Sequence, residues 1–452
     1  VKQAYDTPPL AFVHSYGCQQ NVSDGEKLLG QLSLMGCGVT DDMTAADIII
    51  LNTCAVRENA ELKVYGNIGE LKRLKEQKSD MIIAVGGCMG QEPKTAEKIK
   101  KSYRHVDIVF GTFAAKELPR LIYEALTQRR LIVDTAERNT ECFEDIPAVR
   151  NEKYKAGVSI MYGCNNFCSY CIVPYVRGRE RSREPEKIIE ECRGLIAEGY
   201  KEITLLGQNV NSYGKDLDTD YDFADLLAAI NEIPGDYWLR FMSSQPKDAT
   251  NKLFDTMARC EHVAKQLHLP VQSGCDRVLK AMNRRGDSAS LLALIGKIRD
   301  YMPDCVIRTT FMTGFPGEDD EAFNELSEFV NAARFDRLGC FAFSPEEGTA
   351  AADMTERPEK EVAEHRGEVI MDQQYKIFCE KQEELIGERV RCIVEDYDGY
   401  TDVYSGRTWR DAPEIDSGIF IISQRELDIG DFVDVEITDT KDYDLIGEVS
   451  DR

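Results

Sequence analysis

The sequence is poor in positive charge. Its 452 residues carry 55 Lys and Arg against 80 Asp and Glu, a formal charge of −25. That deficit argues against a generic nucleic-acid coat or a protein held on anionic membrane, since both need a cationic face. A nucleic acid held by a local basic patch stays open. Long apolar runs are missing too: none approaches the roughly 18 residues a membrane span requires. Val1 to Pro9 is polar and shows no signal-peptide pattern. A cytoplasmic location with no membrane partner is therefore expected. There is no internal repeat and no low-complexity tract. Cysteine, by contrast, is plentiful, with 15 residues spread from Cys18 to Cys392. An odd number over so long a chain does not suit the disulfide framework of a small secreted scaffold. In a reduced compartment it points to metal ligation by some of the thiols.

The pattern divides the chain in three. Residues 1–145 alternate short apolar runs with amphipathic stretches. Ala11-Phe-Val-His-Ser, Asp47-Ile-Ile-Ile-Leu and Met81-Ile-Ile-Ala-Val read as buried parallel strands, with helices over 24–34, 58–78 and 93–102. This predicts an α/β domain with a doubly wound parallel sheet. The polar stretch 135–155 reads as a linker. Residues 146–385 repeat the strand–helix rhythm six times, with strands starting near Gly157, Glu202, Trp238, Gln266, Val306 and Leu338, and end in one long charged helix. A partial (βα)6 barrel is expected. Residues 386–452 change period to short β runs near Arg389, Ile419, Phe432 and Asp444, separated by Asp/Gly turns, the pattern of a small all-β barrel. The last 66 residues hold 18 acidic and 7 basic side chains, a net charge of −11.

Two groups of three cysteines carry the chemistry. In Gly163-Cys164-Asn-Asn-Phe-Cys168-Ser-Tyr-Cys171 three thiols of one loop can face a single cubic cluster. A zinc site wants a fourth ligand, and no further Cys or His lies nearby. Three thiolates leave one iron of a 4Fe–4S cluster open for a substrate or cosubstrate; three core thiols or a redox loop is the plainer alternative. The second group emerges from the strand pattern. Cys18, Cys54 and Cys88 each follow a predicted parallel strand, 36 and 34 residues apart. Carboxyl ends of such strands line one crevice, where ligands bind, and Gly17, Gly86 and Gly87 allow close backbone approach. Three ligands with one iron free are expected again, with buried small hydrophobes as the alternative. Cys37, Cys142, Cys192, Cys260, Cys305, Cys340, Cys379 and Cys392 lack partners at ligand spacing. Cys275 lies near a strand end and could face the barrel mouth.

The spacing Cys164-x3-Cys168-x2-Cys171 after the first strand of a β/α barrel resembles the radical S-adenosylmethionine (SAM) enzymes. With the upstream cysteine domain and a terminal barrel of the TRAM kind, nearly the whole chain resembles the methylthiotransferases of that superfamily. The resemblance implies two 4Fe–4S clusters, one on Cys164, Cys168 and Cys171 and an auxiliary one on Cys18, Cys54 and Cys88. It implies SAM as radical source and as methyl donor, with Tyr170 beside its adenine. Gly207, Gln208 and Asn209, and Gly314, Gly317 and Glu318 of Gly314-Phe-Pro-Gly-Glu318, are then expected near the cosubstrate, although the latter could be an ordinary turn. It implies a methylthio group placed on an unactivated C–H bond and an electron donor such as flavodoxin or ferredoxin.

Two branches of the family are echoed. Up to about residue 275 the wording (Asn52-Thr-Cys-Ala-Val-Arg-Glu-Asn, Leu206-Gly-Gln-Asn-Val-Asn-Ser-Tyr213, His268-Leu-Pro-Val-Gln-Ser-Gly274) resembles the tRNA branch (MiaB type). That branch modifies N6-isopentenyladenosine beside the anticodon. From about Met282-Asn-Arg-Arg-Gly-Asp287 onward (Ser344-Pro-Glu-Glu-Gly-Thr, Asp411-Ala-Pro-Glu-Ile-Asp) it resembles the ribosomal-protein branch (RimO type), which modifies an aspartate of a basic small-subunit protein. A mosaic or chimera with its junction at 275–282 would explain this. The acidic terminal barrel should attract a basic protein. The runs Lys72-Arg-Leu-Lys, Lys98-Ile-Lys-Lys-Ser-Tyr-Arg and Arg177-Gly-Arg-Glu-Arg-Ser-Arg183 suit RNA phosphates. Arg177, Arg179, Arg181 and Arg183 lie just after the cluster loop, where they would meet phosphates of a flipped-out nucleotide or merely form a salt-bridged helix start. The tRNA anticodon stem-loop is the favoured substrate. A radical enzyme with an electron-relay second cluster, a non-catalytic iron–sulfur sensor and a zinc-binding RNA module are the rival readings.

Overall fold

The computed structural model describes residues 5, 7–55, 58–137 and 146–450. In the first domain β1 (Leu10–Ser15), β2 (Gly38–Val39), β3 (Ile48–Thr53), β4 (Ile82–Gly87), β5 (Ile108–Phe110) and β6 (Ile132–Asp134) form one parallel sheet in the order β2-β1-β3-β4-β5-β6. Every position of β3 and β4 is buried, as continuous apolar strands covered on both faces must be. The period of two feeds two cores. Ile48 and Ile50 join Leu28, Leu32 and Ile122 on one face, while Ile49 and Leu51 join Val64, Ile68 and Ile99 on the other. The strand order reverses between β1 and β3, so a crevice opens at their carboxyl ends. The short β5 and β6 have no expected counterpart, because three residues are too few to show a period.

Helix Pro93–Ser102 falls where its periodicity puts it. The first helix, Gln19–Leu34, starts five residues before the expected Asp24. Its opening turn is polar yet buried: Gln20 and Ser23 hydrogen-bond Ser159 of the next domain at 2.7 and 3.1 Å. A polar interface hides the apolar stripe that marks a helix.

In the second domain β7 (Lys155–Ser159), β8 (Met161–Tyr162), β9 (Arg181–Ser182), β10 (Glu202–Leu206), β11 (Trp238–Phe241), β12 (Gln266–His268), β13 (Val306–Thr313) and β14 (Arg337–Ala342) follow. Two parallel sheets, β11-β10-β7 and β12-β13-β14, are joined by a parallel bridge between Leu239 and Val263. That is the expected partial (βα)6 barrel, with β8 and β9 as a small antiparallel ribbon framing the cysteine loop. The long helix Lys360–Glu383 leaves it. β15 (Arg389–Asp398), β16 (Val403–Thr408), β17 (Ile419–Ile422), β18 (Phe432–Lys441) and β19 (Asp444–Val449) close a barrel in the order β15-β16-β17-β19-β18. β16 is the strand the sequence pattern misses. Its buried positions include Gly406, Arg407 and Thr408, which break the apolar alternation.

The expected linker is partly described. Residues 138–145, including the domain boundary at 145 and Cys142, lie outside the described residues. Beyond them Arg150 ties the domains, pairing with Glu26 and Glu191 at 2.7 Å each.

The terminal barrel plugs the amino-terminal end of the half-barrel. Glu202 of β10 pairs with Arg407 at 2.6 Å and with Arg240 of β11. Arg240 donates to the Trp409 carbonyl at 2.8 Å and Gln266 to that of Arg410 at 3.1 Å. Arg308 pairs with Asp416, and Arg337 with Asp411 at 2.6 Å. One segment, 407–416, thus caps the starts of five strands. Part of the acidity expected to greet a partner is spent here instead, because Asp411 and Asp416 are buried against arginines. Among the described residues no helix is long and apolar enough to cross a membrane.

Candidate functional site

The crevice of the first domain holds the upstream cysteines. β1, β3 and β4 are neighbours in register, so Cys18, Cys54 and Cys88, which follow them, converge. Gly17 takes φ +98°, and a Cβ there would lie 2.5 Å from the Cys54 Cβ. Gly87, at φ +91°, turns the chain into Cys88. Asn21 fastens two of the loops, donating to the Tyr16 and Thr53 carbonyls at 2.8 and 2.9 Å. Burial pushes the Cys88 thiol up to about 12; Arg177 opposes this, and the neighbouring Cys54 and Cys18 add to it.

The second trio sits beyond β7. Burial raises Cys164 to about 11 and Cys171 to about 12, and Cys168 adds to both. Iron binds the thiolate form, so loading a cluster here would release these protons. Three nitrogen donors surround the sulfurs. Asn166 Nδ2 lies 3.3 Å from Cys164 Sγ, and Gln245 Nε2 and Arg284 both lie 3.8 Å from Cys168 Sγ. Such donors tune an iron–sulfur cluster. Arg284 belongs to the Met282-Asn-Arg-Arg motif but carried no site signal by itself, and nothing in the sequence marked Gln245 or Asn166. Gly163, at φ +79°, must be glycine: a Cβ would lie 2.0 Å from the Arg179 carbonyl oxygen. Gly163→Ala is expected to fold but to bind about half the iron of the parent, measured as iron and acid-labile sulfide per chain.

The loops that follow the two trios touch. Ala55 and Cys88 pack directly against Ile172 and Val176, so the residues following Cys54 and Cys171 share one small apolar contact. Among the described residues no three His, Cys, Asp or Glu stand close enough to hold a single metal ion. Among the described residues each trio presents three thiols and no fourth ligand, a donor set that fits a four-iron cluster with one iron open.

The remaining expected residues separate. Tyr170 is packed edge-on against Phe315 at 6.4 Å, and burial raises its hydroxyl. Gln208 accepts a hydrogen bond from the Gly163 amide at 2.5 Å, bracing the cysteine loop from β10. Asn209 is buried, donating to Asp248 at 2.7 Å and accepting from the Gln245 amide at 3.1 Å. Gly207 lets the chain pass Met161, whose Cγ a Cβ would meet at 2.7 Å. Gly314 and Gly317 both take positive φ. Glu318 braces their turn, accepting from the Gly314 amide at 2.8 Å and from Arg366 at 2.9 Å.

The four arginines do not form one phosphate-facing patch. Arg177 is 5% exposed and turned toward Cys88, Asn21 and Asp24. Arg183 is equally buried, bound to the Ser159 carbonyl at 2.6 Å and Glu191 at 2.9 Å. Each is buried by partners that the run of charges did not reveal. Arg179 is exposed, stacked 4.3 Å over Phe167, and Arg181 is half-buried. Cys275 is buried among Val278, Met282, Phe315 and Ala322.

Three family models match in succession: uncharacterized protein family UPF0004 over residues 11–111, the radical SAM superfamily over 158–330 and the TRAM domain over 386–449. The chain is 43% identical over 443 residues to tRNA-2-methylthio-N(6)-dimethylallyladenosine synthase of Thermoanaerobacter sp. (strain X514), covering 97% of this chain and 92% of that one. The synthase of the same name from Clostridium tetani is 44% identical over 439 residues, covering 97% and 95%. These matches run through the 275–282 region. Among solved structures the fold is similar to TsrM of Kitasatospora setae, a radical SAM methyltransferase. The TM-score is 0.56 at 14% identity, over 76% of this chain and 74% of that one. Radical SAM methylthiotransferases use SAM and 4Fe–4S clusters and are transferases. With three matching domains in succession and full-length relatives at this identity, the chain belongs to the radical SAM methylthiotransferase family.

Proposed function

We propose that this chain places a methylthio group on C2 of N6-isopentenyladenosine next to the tRNA anticodon. One observation carries the reading: two trios of thiols, each without a fourth ligand among the described residues, lie in loops joined by the contact of Ala55 and Cys88 with Ile172 and Val176. When bound, the two clusters and SAM supply the radical that removes the hydrogen and the sulfur and methyl that replace it. The chain's own residues hold and enclose. Cys164, Cys168 and Cys171 hold the cluster beside SAM, and Cys18, Cys54 and Cys88 hold the auxiliary cluster. Tyr170 would pack beside the adenine of SAM, and the backbone at Gly207, Gln208, Asn209, Gly314 and Gly317 would line the cosubstrate. The 407–416 plug covers the amino-terminal end of the half-barrel, opposite the cysteine loops. The electron donor is of the flavodoxin or ferredoxin class.

Exposed cations are the candidate phosphate contacts. Lys98, Lys100, Lys101 and Arg104 are exposed on the first domain, and Arg179 is exposed beyond the cluster loop. Replacing Lys98, Lys100 and Lys101 together by Ala is expected to raise KM for an isopentenylated stem-loop several-fold. It should also flatten the salt dependence of binding by about one slope unit per lost phosphate contact. Filter binding at several salt concentrations checks this, and a parent-like slope would place the RNA elsewhere.

The second reading, a basic small-subunit ribosomal protein, rests on the exposed acidic rim of Asp396, Asp398 and Asp402 on the terminal barrel. Offering the reconstituted, reduced enzyme both substrates side by side separates the two. Mass spectrometry should find the methylthio group on the RNA; an addition to the protein alone would reverse the assignment.

A further inference from the structure

Arg177 is where the two cysteine trios become one structure. It ends the short helix Val173–Arg177, six residues after Cys171. Its side chain crosses into the first domain. Nε donates to the Cys88 sulfur at 3.2 Å, and one terminal nitrogen donates to Asn21 Oδ1 at 2.5 Å and to Asp24 Oδ2 at 2.8 Å. Burial opposes its charge, yet Cys88, Asp24 and Cys18 hold the guanidinium firmly protonated. The next residue turns the other way. Gly178, at φ +75°, offers its carbonyl to the Cys164 amide at 3.1 Å. Two consecutive residues therefore touch one ligand of each trio, one through its side chain and the other through its backbone.

The geometry points to Arg177 as a positioning residue for the auxiliary cluster. It fixes that cluster against the SAM-side loop and raises its reduction potential by donating a charged hydrogen bond to the Cys88 sulfur. The physics is direct. A reduced cluster carries one more negative charge than an oxidised one, so a buried cation bonded to its sulfur stabilises the reduced form. Asp24 works against this. Its carboxylate neutralises part of the Arg177 charge and is itself shared with Gln20, which donates to Oδ1 at 3.1 Å. The two side chains should therefore move the potential in opposite directions.

This rests on the reading that Cys18, Cys54 and Cys88 hold a cluster, and the test separates the two. In the full chain with Cys164, Cys168 and Cys171 all replaced by Ala, only the auxiliary cluster can form. Its iron content and its midpoint potential, followed by electron paramagnetic resonance, are the readouts. Arg177→Met is expected to shift the midpoint negative and Asp24→Asn to shift it positive, with Arg177→Lys between Met and the parent. A merely structural role would move both variants the same way or neither, and either result overturns the inference. If the Met variant fails to bind iron, Lys against Asn decides by the same signs. An iron-free parent overturns the auxiliary-cluster reading and this inference with it, whereas a loaded parent with an unresponsive potential overturns only the role of Arg177.

Discussion

Cys54→Ala is expected to keep cleaving SAM to 5′-deoxyadenosine and to transfer no methylthio group. Its iron content should fall from about eight per chain to about four. The effect is all-or-none because Cys54 is proposed as one of three ligands: two thiolates do not hold a four-iron cube, and among the described residues of the crevice no substitute donor stands near. The SAM-side loop should survive, since its supports lie elsewhere. Gln208 holds the Gly163 amide, Gly178 the Cys164 amide, and Asn166, Gln245 and Arg284 border its sulfurs. The reciprocal Cys168→Ala variant should lose both activities. Chromatography for 5′-deoxyadenosine and mass spectrometry of the RNA make the comparison. Methylthio transfer persisting in Cys54→Ala would refute the division of labour between the trios.

Glu202→Gln should be among the most destabilising substitutions in the molecule, by about 3–5 kcal/mol. Glu202 is fully buried between Arg240 and Arg407, with Arg407 reaching both of its oxygens at 2.6 and 3.1 Å. Gln keeps the shape but leaves two guanidinium groups facing each other out of water. Burial by itself would raise the Glu202 carboxyl; the two arginines overcome it and hold the group below its ordinary range. Because the folded value is the lower one, its contribution is complete above the unfolded value of about 4.3 and is lost as pH falls through the folded value. Denaturant unfolding should therefore show the parent and Glu202→Gln converging in strongly acidic buffer. Limited proteolysis near 386 should release the terminal barrel from the variant first. Equal stability at neutral pH would mean that the plug is held by Arg308–Asp416 and Arg337–Asp411 instead.

Much of this architecture was legible because period and spacing are local properties. Cys164, Cys168 and Cys171 announce themselves in eight residues, and Cys18, Cys54 and Cys88 emerged once each was seen to end a strand. What stayed hidden depends on tertiary partners. Residues 177–183 read as a cationic run, yet whether Arg177 faces water or a neighbouring domain is set by Asn21 and Asp24, far away in sequence. The same holds for β16, where Arg407 occupies a buried position only because Glu202 awaits it. Charge composition misled in the terminal barrel for a related reason: it counts carboxylates without saying which ones, like Asp411 and Asp416, are already neutralised.

The plug also sets an order of events during synthesis. The strands bearing Glu202, Arg240, Arg308 and Arg337 leave the ribosome well before residues 407–416, so the floor of the half-barrel stays open to water until that segment has been made. A chain stopped short of residue 407 would keep both cysteine trios and the long helix but expose a ring of charges that normally have mates. Deleting the terminal barrel would then unseal the catalytic chamber as well as remove a docking module. Lost activity in such a truncation would report a leak as much as a missing grip on the substrate.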